Sequence, residues 1–186
     1  MHTMDVVLLG WPEDGVTLDL DHRAFSYAGK FVMSNTGKAI VQADDAIVAA
    51  VSFSPDRTNE NRVWIRYLTV RRDRRGDAIG PRLVGSLVQR LKRDGYDTVS
   101  IGVNNPFSFH ACYRADFAWT GEESGLNELV LVHPAERTIS GYHRGLGRYL
   151  EHENLTDLER QFITDRRESG LPPTIDPPTM IERSGR

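Results

Sequence analysis

The stretch from Arg62 to Leu83 restricts the fold more than any other part of this chain. Residues 62–70, Arg-Val-Trp-Ile-Arg-Tyr-Leu-Thr-Val, are β-branched, aromatic, aliphatic or arginine, with no Gly or Pro, as in a buried strand. Ile79, Leu83, Val84, Leu87, Val88 and Leu91 then recur at helical spacing, with Arg82, Gln89, Arg90, Lys92 and Arg93 on the other face. Pro81 suits a first helical turn, where the N–H has no internal partner, and Asp94-Gly95 stops the helix. Between strand and helix lies the loop Arg75-Gly-Asp-Ala-Ile-Gly80. Its small residues let a ligand approach the backbone, and the free N–H groups of a helix N-terminus favour a phosphate or pyrophosphate.

Thr98 to Val103 is a further strand, with Val99, Ile101 and Val103 on one face. Strand, helix and strand in this order imply a parallel pair joined by a right-handed crossover. Asn104-Asn105-Pro106 closes the second strand and opens a short helix, Phe107 to Ala115.

These segments carry a resemblance. Arg75-Gly76-Asp77-Ala78-Ile79-Gly80 resembles the Arg/Gln-x-x-Gly-x-Gly/Ala loop of the GCN5-related N-acetyltransferases. The segment from Asn105 through Tyr113 to Phe117 is similar to that family's Asn…Ala…Tyr-x-x-x-Gly-Phe segment. Three departures stand out: Ala78 where a second Gly is common, Asp116 where Gly is usual, and Asn105 one residue further from the Tyr than is typical. With the flanking strands the resemblance extends over residues 17–133.

The resemblance implies an α/β acyltransferase fold. Its sheet is mixed and mostly antiparallel, with a central pair of parallel strands, 62–70 and 98–103, that splay near Val70 and Val103. It further implies transfer of an acetyl or other acyl group from acyl-coenzyme A to a primary amine by direct attack in a ternary complex. Acetyl-coenzyme A is then the co-substrate. Its pyrophosphate would meet Arg75, Gly76, Asp77, Ala78, Ile79 and Gly80, and its pantetheine amides would meet backbone at Leu68, Thr69 and Val70. Asn105 is the expected further contact. Tyr113 is the expected general acid for the leaving thiolate, the alternative being a packed aromatic with a hydrogen-bonded hydroxyl. No general base is legible: the strand offers Arg66 and Tyr67 where many relatives carry Glu.

The rest of the chain sets bounds. Residues 5–36 are broken by Gly10, Pro12, Gly15 and Gly29, so the two helices that usually wall the acceptor pocket in this family are not expected there. Lys38 to Ala43 and Ala46 to Phe53 read as a hairpin turned at Asp44-Asp45. Two more strands follow, Phe117 to Glu122 and Leu126 to Val132. Beyond Pro134 the style changes. Ser140 to His152 is amphipathic, Thr156-Asp-Leu-Glu159 is a capping box, and residues 169–186 are Pro-rich. The domain expected is therefore 1–134, with a helical extension and tail at 135–186. Each helix of the extension has too small an apolar face to stand alone and must dock, on its own subunit or across a homodimer.

A net charge of −3 argues against a general nucleic-acid binder, and no apolar run suits a membrane span. The single Cys112 suits a reducing cytoplasm and reads as a small core residue, since His110 two residues away points elsewhere on a helix. The histidines show no metal spacing, so no metal is expected. Arg71, Arg72 and Arg74 read either as a contact for coenzyme A's 3′-phosphate or as a solvated cluster. Phe107 and Phe109 read as core or as a wall of the pantetheine tunnel. The acceptor, small molecule or protein, is not legible. A silent acyl-coenzyme A sensor or a partner-binding module is the rival reading.

Overall fold

The computed structural model describes residues 3–125 and 127–183. Its contacts divide the chain into two compact units, Met1–Asp97 with Asp176–Arg186, and Thr98–Ile175. The expected boundary at residue 134 is not where the chain divides. The reason is that the extension's apolar faces pack within the second unit, while the last residues of the tail return to the first.

In the first unit β1 (Met4–Gly10), β2 (Gly37–Ala43), β3 (Ala46–Pro55) and β4 (Arg62–Val70) pair as successive antiparallel neighbours. Asp44 and Asp45, at φ 50° and 65°, turn the β2–β3 hairpin, since short polar side chains tolerate the left-handed region. The pairing of Val51 with Leu68 and Ala49 with Val70 puts these residues on one face, and Ala50, Ser52, Tyr67 and Thr69 on the other. Helix α1 (Ile79–Arg93) covers the first face with Leu83, Leu87 and Leu91, all fully buried. Burying each such side chain contributes roughly 1.5–3 kcal/mol.

The other face is covered by residues 18–31, where Leu20, Phe25, Ala28 and Phe31 close over Val7, Ile40 and Ala50. That segment contains only a 3-10 turn, Ala28–Val32, in keeping with its broken sequence. Lys38 holds it in place. Its side chain is fully buried, and the ammonium donates to the carbonyls of Val16 and Met33 at 2.6 Å each and to Thr36 O at 3.1 Å. In the tail, β8 (Ile181–Glu182) pairs in parallel with β1, and Pro177 lies against Gly85.

In the second unit β5 (Thr98–Val103) pairs antiparallel with β7 (Leu129–His133), which pairs with β6 (Ala118–Glu123). Leu126, expected to begin the last of these strands, lies outside the described residues. The helices are α2 (Pro106–Arg114), α3 (Ile139–Arg148) and α4 (Asp157–Arg167). The capping box at Thr156 and Glu159 is formed, with both reciprocal hydrogen bonds present. Helix α3 lies close on α2 at Gly145, which has no side chain: a Cβ there would collide with the Phe109 ring. Phe109, Tyr113, Tyr142 and Tyr149 form a fully buried aromatic cluster between them.

Candidate functional site

Leu68, Thr69, Val70 and the 75–80 loop belong to the first unit; Asn105 and Tyr113 belong to the second. Strand β4 is irregular where the loop is prepared. Ser52 pairs with Tyr67 and Phe53 with Ile65, so Arg66 is an extra residue, a bulge that interrupts the ladder. The buried Thr69 hydroxyl on this strand has no hydrogen-bond partner.

After β4 the chain makes a short 3-10 turn and enters the loop. Arg75, Gly76 and Asp77 are exposed, whereas Ile79 and Gly80 are buried. Gly76 has φ 90° and Ala78 φ 61°. The methyl group of Ala78 therefore sits at a left-handed position, where a side chain costs roughly 1 kcal/mol. Ala78 is the N-cap of α1 and has no side-chain oxygen, so it leaves the first-turn N–H groups of α1 without a cap. A Cβ at Gly80 would stand 3.5 Å from Val70, an ordinary contact, so the helix start lies close on β4.

The neighbouring arginines lie at the surface, and each has a partner. Arg71 pairs with Asp73 at 2.6 Å and Arg74 with Asp77 at 3.1 Å. Arg72 donates to Arg23 O at 2.8 Å, and Arg75 donates to the Ser26 hydroxyl at 3.0 Å. Arg72 and Arg75 thus fasten the 22–26 loop beside the 75–80 loop. No local signal in residues 22–26 announces this, because the two loops meet only in the folded chain.

In the second unit Asn105 is the N-cap of α2, its Oδ1 accepting from Ser108 N at 2.9 Å and its Nδ2 donating to Ser108 Oγ at 3.0 Å. Its amide is engaged in capping. Asp116 has φ 70° and occupies the left-handed position after α2 that glycine would take, with Phe117 N donating to Cys112 O at 3.0 Å.

This assigns the register of the motif. The pattern spaces its tyrosine four residues before the glycine, and Asp116 in the glycine's place is only three residues after Tyr113. Cys112 stands at the tyrosine's position, and the extra residue between Asn105 and Tyr113 is accounted for by the same shift. Tyr113 itself is fully buried. Its hydroxyl accepts from Trp119 N at 3.0 Å, its ring packs on Phe109 and Tyr142, and burial raises its pKa. The expected general acid is therefore corrected to a core aromatic, because one residue along a helix rotates a side chain by roughly 100°. Cys112 is buried, and burial pushes its thiol up to about 12, so it is no nucleophile.

His110 lies 2.7 Å through Nδ1 from the Tyr142 hydroxyl, and burial with Arg166 and Arg114 nearby lowers its pKa to about 4. Phe109 is core, while Phe107 is exposed at 40% and rests on Phe162. On the β4 side Asp56 accepts from Thr58 N at 2.8 Å and from Trp64 Nε1 at 2.7 Å, which hold its carboxyl at about 2. Such a group is a poor base. Among the described residues no cluster of His, Cys, Asp or Glu is arranged to hold a metal, and no helix is long and apolar enough to cross a membrane.

The family model described as Acetyltransferase (GNAT) family matches residues 8–117, more than half of the chain. Among solved structures, the chain is similar to the Bacillus subtilis acetyltransferase in complex with CoA, at 15% identity and a TM-score of 0.55, covering 70% of this chain and 97% of that one. It is similarly like an IAA acetyltransferase from Bacillus cereus, at 12% identity and a TM-score of 0.54, covering 70% and 98%. A PaiA N-acetyltransferase from Thermoplasma acidophilum, in complex with coenzyme A, is matched at 15% identity and a TM-score of 0.45; the match covers 51% of this chain and 58% of that one. No curated protein matches. At these identities the two Bacillus structures establish the fold alone.

Proposed function

Because the chain belongs to the acetyltransferase (GNAT) family, we propose that it transfers an acetyl group from acetyl-coenzyme A to a primary amine. The observation that carries this reading is the uncapped start of α1 behind an exposed loop with two left-handed residues, Gly76 and Ala78. First-turn N–H groups with no side-chain cap, at the positive end of the helix dipole, suit a pyrophosphate. The Bacillus subtilis structure with CoA supports the same ligand.

In the reaction the amine nitrogen attacks the thioester carbonyl, the C–N bond forms and the C–S bond breaks. The proton lost by the nitrogen balances the thiolate's conversion to a thiol. Backbone at Leu68 to Val70, and the orphaned hydroxyl of Thr69, would meet the amides of the co-substrate. N–H groups of the same strand would stabilise the oxyanion. Tyr113 has no part in the proposal.

Gly76→Glu tests the reading, because it sets a carboxylate and a side chain in a site for phosphate at a residue whose backbone disfavours any side chain. Calorimetry should show acetyl-coenzyme A binding lost in a folded variant, and unchanged affinity would remove the loop from the site. Amine-dependent release of thiol by the native protein separates an enzyme from a silent acyl-coenzyme A sensor.

A further inference from the structure

The bulge in β4 decides where one cation goes. Pairing sets Trp64 against Ser54 and Tyr67 against Ser52, which puts these residues on the face of the sheet away from α1. Arg66, the extra residue before Tyr67, is released from the alternation. Its Nε donates to Ser54 Oγ at 2.7 Å, so its side chain lies on that same face. Trp64, Arg66 and Tyr67 therefore share one face of the first unit, and Arg66 is exposed there.

This guanidinium is held but not answered. Its carbon stands 5.9 Å from the centroid of the Trp64 ring, which is fixed in turn by Nε1 donating to Asp56 Oδ2 at 2.7 Å. Tether and ring orient the planar group and leave Nη1 and Nη2 without a partner among the described residues. Asp56 acts on Arg66 through space, but its oxygens are taken up by Thr58 N, by Trp64 and, at 3.9 Å, by Arg62. Lys30, with its ammonium 5.7 Å from the Tyr67 ring centroid, is a second exposed cation that forms no ion pair among the described residues. Two residues beyond Arg66, roughly 7 Å along the strand, begins the backbone of Leu68 to Val70 that is proposed to meet the thioester end of the co-substrate.

Resting on the reading of the chain as an acetyl-coenzyme A-dependent amine acetyltransferase, we infer that Arg66 selects the acceptor, and that the acceptor is an amine that also carries a carboxylate. A fork with Nη1 and Nη2 both free matches the two oxygens of a carboxylate in one plane, and one guanidinium balances its one charge. The pairing also serves the reaction. An ammonium has no lone pair and cannot attack a thioester. In free solution the acceptor's own carboxylate favours its ammonium form; once Arg66 answers that charge, the amine is more readily neutral.

The test uses the full chain with 4-aminobutanoate and 4-aminobutanamide, which have the same length and differ in the charge of the carboxylate. By calorimetry with coenzyme A present at low ionic strength, the acid should bind about tenfold or more tightly than the amide, and the difference should shrink in about 0.5 M salt. Arg66→Gln should abolish the preference, and Arg66→Lys, which keeps the charge and loses the fork, should keep only part of it. Ser54→Ala, which cuts the tether, should reduce it and tests the same point if Arg66→Gln does not fold. Arg93→Gln, on α1 at the other side of the sheet, should leave it intact. With acetyl-coenzyme A, kcat/KM should favour the acid by a similar factor. Equal affinities, or a preference that survives Arg66→Gln, would overturn the inference. So would transfer to both compounds at equal kcat/KM, a result that leaves acetyl transfer itself standing. If the acid binds with the expected preference yet neither compound is acetylated, the role of Arg66 in choosing an acceptor falls together with the proposed function.

Discussion

The Tyr149 hydroxyl donates to the carbonyl oxygen of Val103 at 2.9 Å, joining the end of the α3 segment to the last residue of β5. Tyr149 is fully buried and Val103 nearly so, and burial raises the phenol's pKa, so it stays a donor. Tyr149→Phe keeps the ring and orphans a buried carbonyl, which costs roughly 1–3 kcal/mol. The denaturation midpoint should fall accordingly, and binding at the 75–80 loop, measured in the folded protein, should not change.

Tyr113→Phe should behave in the same way. It removes the acceptor of Trp119 N–H and costs roughly 1–3 kcal/mol, with turnover in the folded variant within about tenfold of the native protein. A fall in turnover of ~10²–10⁴-fold at unchanged coenzyme A affinity would return Tyr113 to the mechanism as its acid.

Lys38 is the polar centre of the first unit. Lys38→Met preserves the stem and deletes every donor to Val16 O, Met33 O and Thr36 O. Burial lowers the pKa of this lysine, and the surrounding carbonyls supply the hydrogen bonds its buried ammonium needs. The variant should lose about 2–5 kcal/mol of unfolding free energy. Hydrogen exchange should show residues 16–36 opening first.

Ala78 and Gly76 make a pair of opposite sign. Ala78→Gly relieves a left-handed side chain and should raise stability by about 0.5–1 kcal/mol, while Gly76→Ala should lower it by about 1 kcal/mol. Thermal unfolding of the two variants checks both signs.

His110 makes stability depend on pH. Its folded pKa of about 4 lies below its ordinary 6.5, so the unfolded chain binds the proton more readily in between. The contribution is present above pH 6.5, fades as pH falls, and is lost by about pH 4. His110→Gln should flatten that limb of a stability-against-pH curve; an unaltered slope would assign the dependence to other groups.

The sequence by itself determined the element order from β2 to α4, the β2–β3 hairpin, the capped α4 and the loop before α1. These follow from local periodicity and local turn and cap chemistry, which act within a few residues. It also carried the family, because the loop and the α2 segment are local motifs. The shift of the tyrosine's place to Cys112 follows from the spacing to Asp116, whereas only the tertiary structure decided what surrounds Tyr113, buried on Phe109 and Tyr142 with its hydroxyl on Trp119 N. The same holds for the extension. Its helices were legible, but Gly145 gains meaning only when α3 meets Phe109, and Tyr149 only when it meets Val103. Lys38 reads as an ordinary strand residue until the carbonyls of Val16, Met33 and Thr36 converge on it. For Gly145, Tyr149 and Lys38 what decides is a contact that only folding brings together, with the burial of polar groups that accompanies it, and residue spacing alone does not contain that.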